Sequence, residues 1–136
     1  MSQDASTADR RIISTEAAPA AIGPYSQAVV HAGVVYTAGQ IALDPATGDM
    51  VGGGEVGAET EQVMQNLSAV LEAAGSAFSR AIRCEIYLAD LADYAAVNEV
   101  YGRYFEGCEA PARVAIEAAR LPRDARVEIS CTAATP

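Results

Sequence analysis

Arg113 and Glu128 are the two residues whose chemistry and position could act on a small organic acid. Arginine donates two parallel hydrogen bonds, a geometry that matches a carboxylate. A glutamate in a partly dry cleft is suited to be a general acid or base, because desolvation raises its pKa towards neutrality. A cation that holds an acid and a carboxylate that steers water would together serve a hydrolytic reaction.

Both residues fall in strands that the sequence predicts over 112–118 and 126–132. Side chains alternate along a strand, which predicts that Arg113 and Glu128 both point away from the apolar, helix-packed side of the sheet. If the two strands pair as a hairpin, Arg113 and Glu128 lie roughly 10 Å apart, which is room for a small acid and a water. Strand arginines and glutamates are more often solvated or paired across strands. The interpretation therefore depends on both side chains facing one shared crevice.

The composition excludes several other kinds of chemistry. The 136-residue chain has 18 acidic and 9 basic residues and a net charge of -9, which disfavours nucleic-acid phosphates and anionic membranes as partners. All the basic residues are arginine, so no side chain can form a Schiff base. His31 is the one histidine, which excludes a multi-histidine metal site, and we expect it at the surface.

The cysteines and the apolar segments indicate a reducing compartment. Cys84, Cys108 and Cys131 form no CxxC motif, and an odd number closes no disulfide framework. Cys84 and Cys131 lie on apolar strand faces and are expected to pack, whereas Cys108 follows Gly107 in a loop and is expected to be exposed. No secretory signal and no apolar run of about 20 residues is evident, so we expect a cytoplasmic protein.

The hydrophobic periodicity predicts one α+β domain over 11–136, after a flexible tail over 1–10. The predicted elements are a short strand at 11–14, a hairpin of strands 26–30 and 34–38, a helix over 58–74 stopped by Gly75, a strand over 81–88, a helix from an N-cap at Asp93 to Gly107, and the two final strands. Both helices would pack on one face of a single sheet. The hydrophobic content of 51% and the mean hydropathy of +0.12 favour burial of the other face in an oligomer.

Four motifs in register carry a resemblance to a known family. They are IGPYSQ at 22–27, AGQI at 38–41, VNEVY at 97–101, and PAR at 111–113 with ARLPRDARVEI at 119–129. Together they resemble the RidA/YjgF family of enamine/imine deaminases from about residue 11 to the C-terminus. The resemblance implies a chorismate-mutase-like fold, a single mixed sheet with two helices on one face, assembled as a homotrimer with active sites between subunits.

The resemblance also implies an activity and the residues that perform it. The implied reaction is hydrolysis of reactive 2-enamine or 2-imine acids, such as 2-aminoacrylate, to 2-keto acids and ammonia, with no cofactor and no metal. Arg113 matches the residue that binds the substrate carboxylate, and Glu128 matches the one that positions and activates water. Tyr25, from the neighbouring subunit, would line the cleft. Gly39 would contact the ligand through its backbone, and Asn98 would be structural.

Two positions depart from the family pattern, and other functions stay open. Family members often carry Ser where Ala38 stands, and Cys, Thr or Ser where Ala115 stands. Neither alanine offers a side-chain hydrogen bond, although the Ala115 backbone N–H could still contact a carboxylate. The main alternative is a non-catalytic trimer of the same fold that binds small carboxylic acids. A ribonuclease is disfavoured by charge, and a chorismate mutase would rest on fold analogy alone.

Overall fold

The computed structural model describes residues 10–136, which form a six-stranded mixed sheet and two α-helices. The strands and helices, in chain order, are β1 Arg11–Ile13, β2 Ala28–His31, β3 Val34–Thr37, α1 Val56–Ala73, β4 Ala81–Leu88, α2 Tyr94–Arg103, β5 Ala112–Glu117 and β6 Val127–Ala134. The element order and the α+β class are as predicted. The predicted tail over 1–10 lies, except for Arg10, outside the described residues.

The strands are arranged in the order β1-β2-β3-β6-β4-β5, and one pair among them, β4 with β5, is parallel. The predicted hairpin between β5 and β6 is therefore wrong, because β4 lies between them. The burial of the two strands explains this arrangement. Strand β6 buries every second side chain, as a strand inside a sheet does, whereas β5 buries none fully and takes the edge.

Helix α1 packs on the sheet through the apolar stripe that its sequence predicts. Its buried apolar side chains are Val56, Val63, Met64, Leu67, Val70 and Leu71. They join one core with alternate residues of β3, β4 and β6. The Glu55 carboxylate caps the helix by accepting hydrogen bonds from the backbone N–H groups of Gly57 and Ala58. Gly75, with φ of +80°, follows the helix end.

Helix α2 begins and ends differently from the prediction. It starts directly after Asp93, but the Asp93 side chain makes no capping bond and pairs instead with Arg126 at 2.6 Å. The helix ends at Arg103, and a turn leads to Gly107, where the helix was predicted to end. Val97 and Tyr101 join the common core with α1, so both helices cover the same face of the sheet.

The other face of the sheet carries no helix, and we call it the open face. It displays large apolar side chains, including Tyr36 at 50% and Ile116 at 46% exposure. In a single chain this face is exposed to solvent, and exposed apolar faces of this kind are typical of protein–protein contacts. No helix within residues 10–136 is long and apolar enough to cross a membrane.

Candidate active site

Arg113 lies on the edge strand β5, and its side chain projects to the helix-covered face. Its lateral neighbour on β4 is Cys84, which is itself paired with Cys131 of β6, and both thiols are fully buried beneath the helices. Side chains of laterally paired residues share a face. The contacts of the guanidinium with helix α2, given below, agree with this assignment.

Glu128 projects to the open face instead. Its partner on β4 is Tyr87, which is in turn paired with Ile116 of β5. The prediction that Arg113 and Glu128 share a face and a crevice within one chain is therefore wrong. The error has a physical cause. At the edge strand, the apolar residues Val114 and Ile116 face the open side, so the apolar side of β5 is not the helix-packed side.

Helix α2 holds the Arg113 guanidinium through uncharged groups. Nη1 donates to Asn98 Oδ1 at 2.6 Å, and Nη2 donates to the Tyr94 hydroxyl at 2.5 Å. The guanidinium carbon lies 5.3 Å from the centre of the Tyr94 ring and 5.1 Å from that of Tyr101, within cation–π range. We call these three residues of α2 the arginine cradle.

Arg113 differs in its charge environment from its neighbours in the chain. Arg120 is paired with Asp124 at 2.7 Å and Arg126 with Asp93 at 2.6 Å. Arg113 makes no ion pair with any of residues 10–136. Although the chain carries a net charge of -9, no carboxylate among residues 10–136 neutralises this partly buried arginine.

Glu128 sits directly over Gly39. A Cβ at position 39 would overlap the Glu128 Oε2 atom and lie 2.9 Å from Cδ, so the carboxylate occupies space that only glycine leaves open. The backbones of Gln40 and Ile129 exchange two hydrogen bonds, of 2.9 and 3.1 Å, which hold the two segments in register. Gly39 and Glu128, two of the predicted site residues, are therefore in contact.

A cavity of about 460 Å³ opens at Glu128 on the open face. Tyr25, Ala38 and Gly39 line it together with Glu128. A shallower depression of about 370 Å³ continues from Gly39 and Glu128 to Tyr87. A larger cavity of about 700 Å³ contains Tyr25 but neither Glu128 nor Arg113, so it is not the place where these groups could meet.

Partial burial raises the pKa of the Glu128 carboxyl above its usual range. The cause is desolvation, because water reaches the carboxylate less freely at the floor of the cavity. A carboxylate with a raised pKa is a stronger base than an ordinary surface glutamate. In chemical terms, Glu128 is thus better suited than a surface glutamate to accept a proton.

The structure thus divides the five predicted site residues into two groups. Tyr25, Gly39 and Glu128 lie together on the open face. Ala115 lies two residues from Arg113 on β5, on the same face, and packs against the core. Tyr25 lines the same cavity as Glu128 of its own chain. The expectation that Tyr25 comes from a neighbouring subunit can therefore apply only to a site that contains Arg113 of another copy.

Sequence reasoning missed the arginine cradle. Asn98 was expected to be structural, and Tyr94 and Tyr101 were not assigned to the site. Tyr101 is buried, but Tyr94 is 41% exposed and meets Arg113. The three residues are spaced at i, i+4 and i+7, a spacing that places them on one helix face. Two tyrosines and an asparagine on one face were the signal that could have revealed the cradle.

The remaining sequence-based expectations concern the cysteines and the histidine. Cys84 and Cys131 are buried thiols, as predicted, whereas Cys108 is partly rather than fully exposed. His31 lies at the surface. Within residues 10–136, no group of three or more histidine, cysteine or acidic side chains is arranged to hold a metal ion.

Comparison with known proteins assigns the family. The family described as Endoribonuclease L-PSP matches residues 15–135. The chain is 48% identical over 124 residues to a mouse protein named 2-iminobutanoate/2-iminopropanoate deaminase, covering 91% of this chain and 90% of that protein. It is 55% identical over 126 residues to Protein DfrA of Myxococcus xanthus, covering 91% and 95%.

Solved structures agree with the sequence match. The fold superimposes on a Yersinia pestis protein described as YyfA of the conserved Rid protein family, with a TM-score of 0.90, 39% identity, and coverage of 93% and 99% of the two chains. The chain therefore belongs to the endoribonuclease L-PSP, or RidA, family, which confirms the resemblance drawn from its motifs.

Proposed function

We propose that this protein hydrolyses 2-imino acids, and the 2-enamine acids that tautomerise to them, to 2-keto acids and ammonia without a cofactor. The observation that carries the proposal is the Arg113 guanidinium, which is held by neutral acceptors and makes no ion pair with any of residues 10–136 of this acidic chain. Such a cation suits a substrate carboxylate. The mouse relative is named for the same chemistry, which supports the proposal.

In the proposed reaction, Arg113 binds the carboxylate and Glu128 acts on water. The enamine first becomes the imine by moving a proton from nitrogen to carbon. Glu128 then takes a proton from water while the water oxygen bonds to the imine carbon, and it passes this proton to the imine nitrogen. The hydroxyl proton of the resulting carbinolamine moves to the amino nitrogen, which leaves as ammonia while the C=O bond of the keto acid forms. Fixing the acid and the water together supplies the orientation that hydrolysis needs.

A site that uses both Arg113 and Glu128 would require two copies of the chain, because these residues project from opposite faces. We propose that Arg113 and Ala115 of one copy meet Tyr25, Gly39 and Glu128 of the next, in the homotrimer that the family resemblance implies. The exposed apolar residues Tyr36 and Ile116 on the open face support an assembly that covers this face. The cavity at Glu128 would then be closed on its open side by the neighbouring copy.

Two other functions make different demands on the same residues. A non-catalytic binder of small carboxylic acids needs Arg113 but has no use for a desolvated glutamate over a glycine. The family is described as an endoribonuclease family. Ribonuclease activity needs cationic contacts to phosphates. A net charge of -9 without lysine opposes those contacts.

The test couples the protein to a serine or threonine dehydratase, which releases the enamine, with semicarbazide as a competing trap for the imine. We expect the purified protein to divert the imine to keto acid and the Arg113→Ala variant to lose this activity. A Glu128→Ala variant should still bind 2-oxobutanoate but lose turnover, which distinguishes an enzyme from a binder. Deamination by Arg113→Ala at the parent rate would refute the proposal.

A further inference from the structure

The arginine cradle differs from an ordinary structural arginine site in having no charge of its own. The acceptor on Nη1 is the amide oxygen of Asn98, at 2.6 Å, and the acceptor on Nη2 is the phenol of Tyr94, at 2.5 Å. An aspartate in place of Asn98 would have nearly the same shape and would bind an arginine more strongly. The fold alone therefore does not explain a neutral acceptor here.

We propose that Asn98 and Tyr94 are positioning residues that set the plane of the Arg113 guanidinium while leaving its charge and its remaining donors to the substrate carboxylate. This inference rests on the proposed function, since it takes Arg113 as the carboxylate anchor. The guanidinium has five N–H donors in a planar fork. Asn98 and Tyr94 each take one donor, which leaves three for a bound acid.

The aromatic rings complete the positioning. The guanidinium carbon lies over both the Tyr94 and the Tyr101 ring, so the group cannot rotate freely out of its plane. A bidentate contact with a carboxylate depends on that plane, because both oxygens must lie in line with two donors. Holding the plane before the substrate arrives reduces the entropy lost on binding.

Tyr94 also has a hydroxyl proton that it can donate. Its hydroxyl oxygen accepts from Arg113 Nη2, which leaves the hydroxyl proton to be donated. Tyr94 is 41% exposed, is the first residue of α2, and contacts Arg113 of the edge strand. A carboxylate bound to the guanidinium beside Tyr94 would have this O–H group within its reach. Tyr94 is thus placed to add one hydrogen bond to the anchored acid.

The neutral cradle predicts an unusual combination of effects for Asn98→Asp. The new carboxylate would pair with Arg113, so the thermal midpoint should stay the same or rise. The same pairing would neutralise the cation and repel an incoming carboxylate, so the affinity for a keto acid should fall at least about tenfold. A merely structural role for Asn98 would not separate stability from affinity in this way.

The experiment measures KM and kcat in the dehydratase-coupled assay, the Kd for 2-oxobutanoate by calorimetry, and the melting temperature. For Tyr94→Phe we expect KM and Kd to rise about three- to tenfold, as for loss of one or two hydrogen bonds, with kcat within about twofold of the parent. Tyr104→Phe, in the residue just after α2 and bonded to Glu61, is the matched control and should leave KM unchanged.

The outcomes separate this inference from the proposed function. If the parent is active and both Tyr94→Phe and Asn98→Asp bind 2-oxobutanoate like the parent, the positioning inference is overturned and the deaminase proposal stands. If the parent neither deaminates nor binds the keto acid, both fail. Should Asn98→Asp fold poorly, Tyr94→Phe decides the question, because it retains the ring and removes only the hydroxyl.

Discussion

Arg113 and Glu128 project from opposite faces of one sheet, with strand β4 between their strands. Arg113 is in register with Cys84, and Glu128 is in register with Tyr87, three residues further along β4. Two strand spacings across and three residues along give a Cα separation of roughly 14 Å. A small imino acid cannot span that distance through the sheet, so a site that uses both residues must join different copies of the chain.

Mixing two inactive variants tests this division of the site between subunits. Arg113→Ala chains keep Glu128, and Glu128→Gln chains keep Arg113, so each pure assembly should be inactive. In a randomly mixed cyclic assembly made by co-expression in equal amounts, about one quarter of the sites receive both intact residues. We expect the mixture to recover activity near that fraction in the dehydratase-coupled assay.

The mixing experiment has a direct control. Each variant expressed alone should remain inactive, which excludes contamination as the source of activity in the mixture. A mixture with no activity, although mass spectrometry shows mixed assemblies, would place Arg113 and Glu128 of a working site in the same chain.

The open face gives a prediction about assembly. Ile116 is 46% exposed and Leu91 is 47% exposed in one chain, but Ile116 lies on the open face and Leu91 in a short turn outside the sheet. Asparagine at position 116 would bury an unpaired amide if this face forms the interface. We expect Ile116→Asn to dissociate the assembly, as measured by light scattering, and to lose deaminase activity with it.

Leu91→Asn is the matched control for this experiment. It removes an equally exposed side chain and should leave both the mass and the activity of the assembly unchanged. If Leu91→Asn dissociates the assembly and Ile116→Asn does not, the open face is not the interface.

The sequence predicted the elements well because their patterns are local. The stripe of helix α1 and the alternation of β6 predict which side chains are buried, and the structure confirms them. In β4 the alternation holds for Cys84, Ile86 and Leu88, whereas Ile82 is 48% exposed beside a register shift in the pairing with β6. Predicting the partners of the edge strand failed, because a strand's neighbours depend on long-range packing. Val114 and Ile116 read as core residues, yet they face the open side, so their apolar character does not mark the chain's own core.

The candidate site was predicted only through its motifs. The residue types of Arg113 and Glu128 indicated the chemistry, but their parity gave a wrong common face. The arginine cradle was missed because a tyrosine at helical spacing looks the same in sequence whether it packs or binds. What distinguishes Tyr94 is its exposure at the sheet edge, and exposure follows from the tertiary fold.

Gly39 allows a test of the Glu128 position without touching the carboxylate. In Gly39→Ala the new methyl group would overlap Oε2 of Glu128, which is the flexible end of its side chain and can swing away. Folding should therefore be little affected, while kcat should fall at least about tenfold because the base is displaced. Steady-state kinetics and the melting temperature check both parts.

Gly102→Ala is the control for Gly39→Ala. A Cβ at Gly102 meets nothing within 4 Å, and the residue lies in helix α2, where alanine should stabilise by up to about 1 kcal/mol. Parent-like kcat in Gly39→Ala would show that the observed place of the Glu128 carboxylate is not needed for the reaction.

The raised pKa of Glu128 predicts the acidic limb of the pH profile. The ionised carboxylate is the base, so kcat/KM should fall as the pH falls through that raised pKa, at a higher pH than an ordinary glutamate at about 4.3 would give. Glu128→Gln should lose most of the activity and the limb with it. Glu85→Gln, on the same face and hydrogen-bonded to Ser130, should retain the limb.

The raised pKa of Glu128 also predicts how this residue affects folding stability at different pH values. A carboxyl group with a folded-state pKa above its unfolded value favours folding below the unfolded pKa, and this advantage is lost as the pH rises through the folded pKa. Relative to the parent, Glu128→Gln should therefore melt at a higher temperature near pH 7 and at a similar temperature well below pH 4. A lower melting temperature near pH 7 would contradict desolvation as the cause of the raised pKa.

Gln27 should control the stability of the segment that carries Tyr25. Its amide is 4% exposed, accepts from the Thr15 backbone N–H at 2.7 Å, and donates to the carbonyls of Thr15 and Pro19 at 3.0 and 2.8 Å. Gln27→Ala would leave these backbone groups without partners, so we expect a loss of about 2–4 kcal/mol in the free energy of unfolding. Gln65→Ala, which removes an exposed amide bonded to Glu61, should cost less than about 0.5 kcal/mol in the same urea titration.

Because the freed segment carries Tyr25, Gln27→Ala should also raise KM under conditions in which the variant is fully folded. An unchanged unfolding free energy would mean that water replaces the amide at no cost, and that Gln27 does not hold this wall of the cavity.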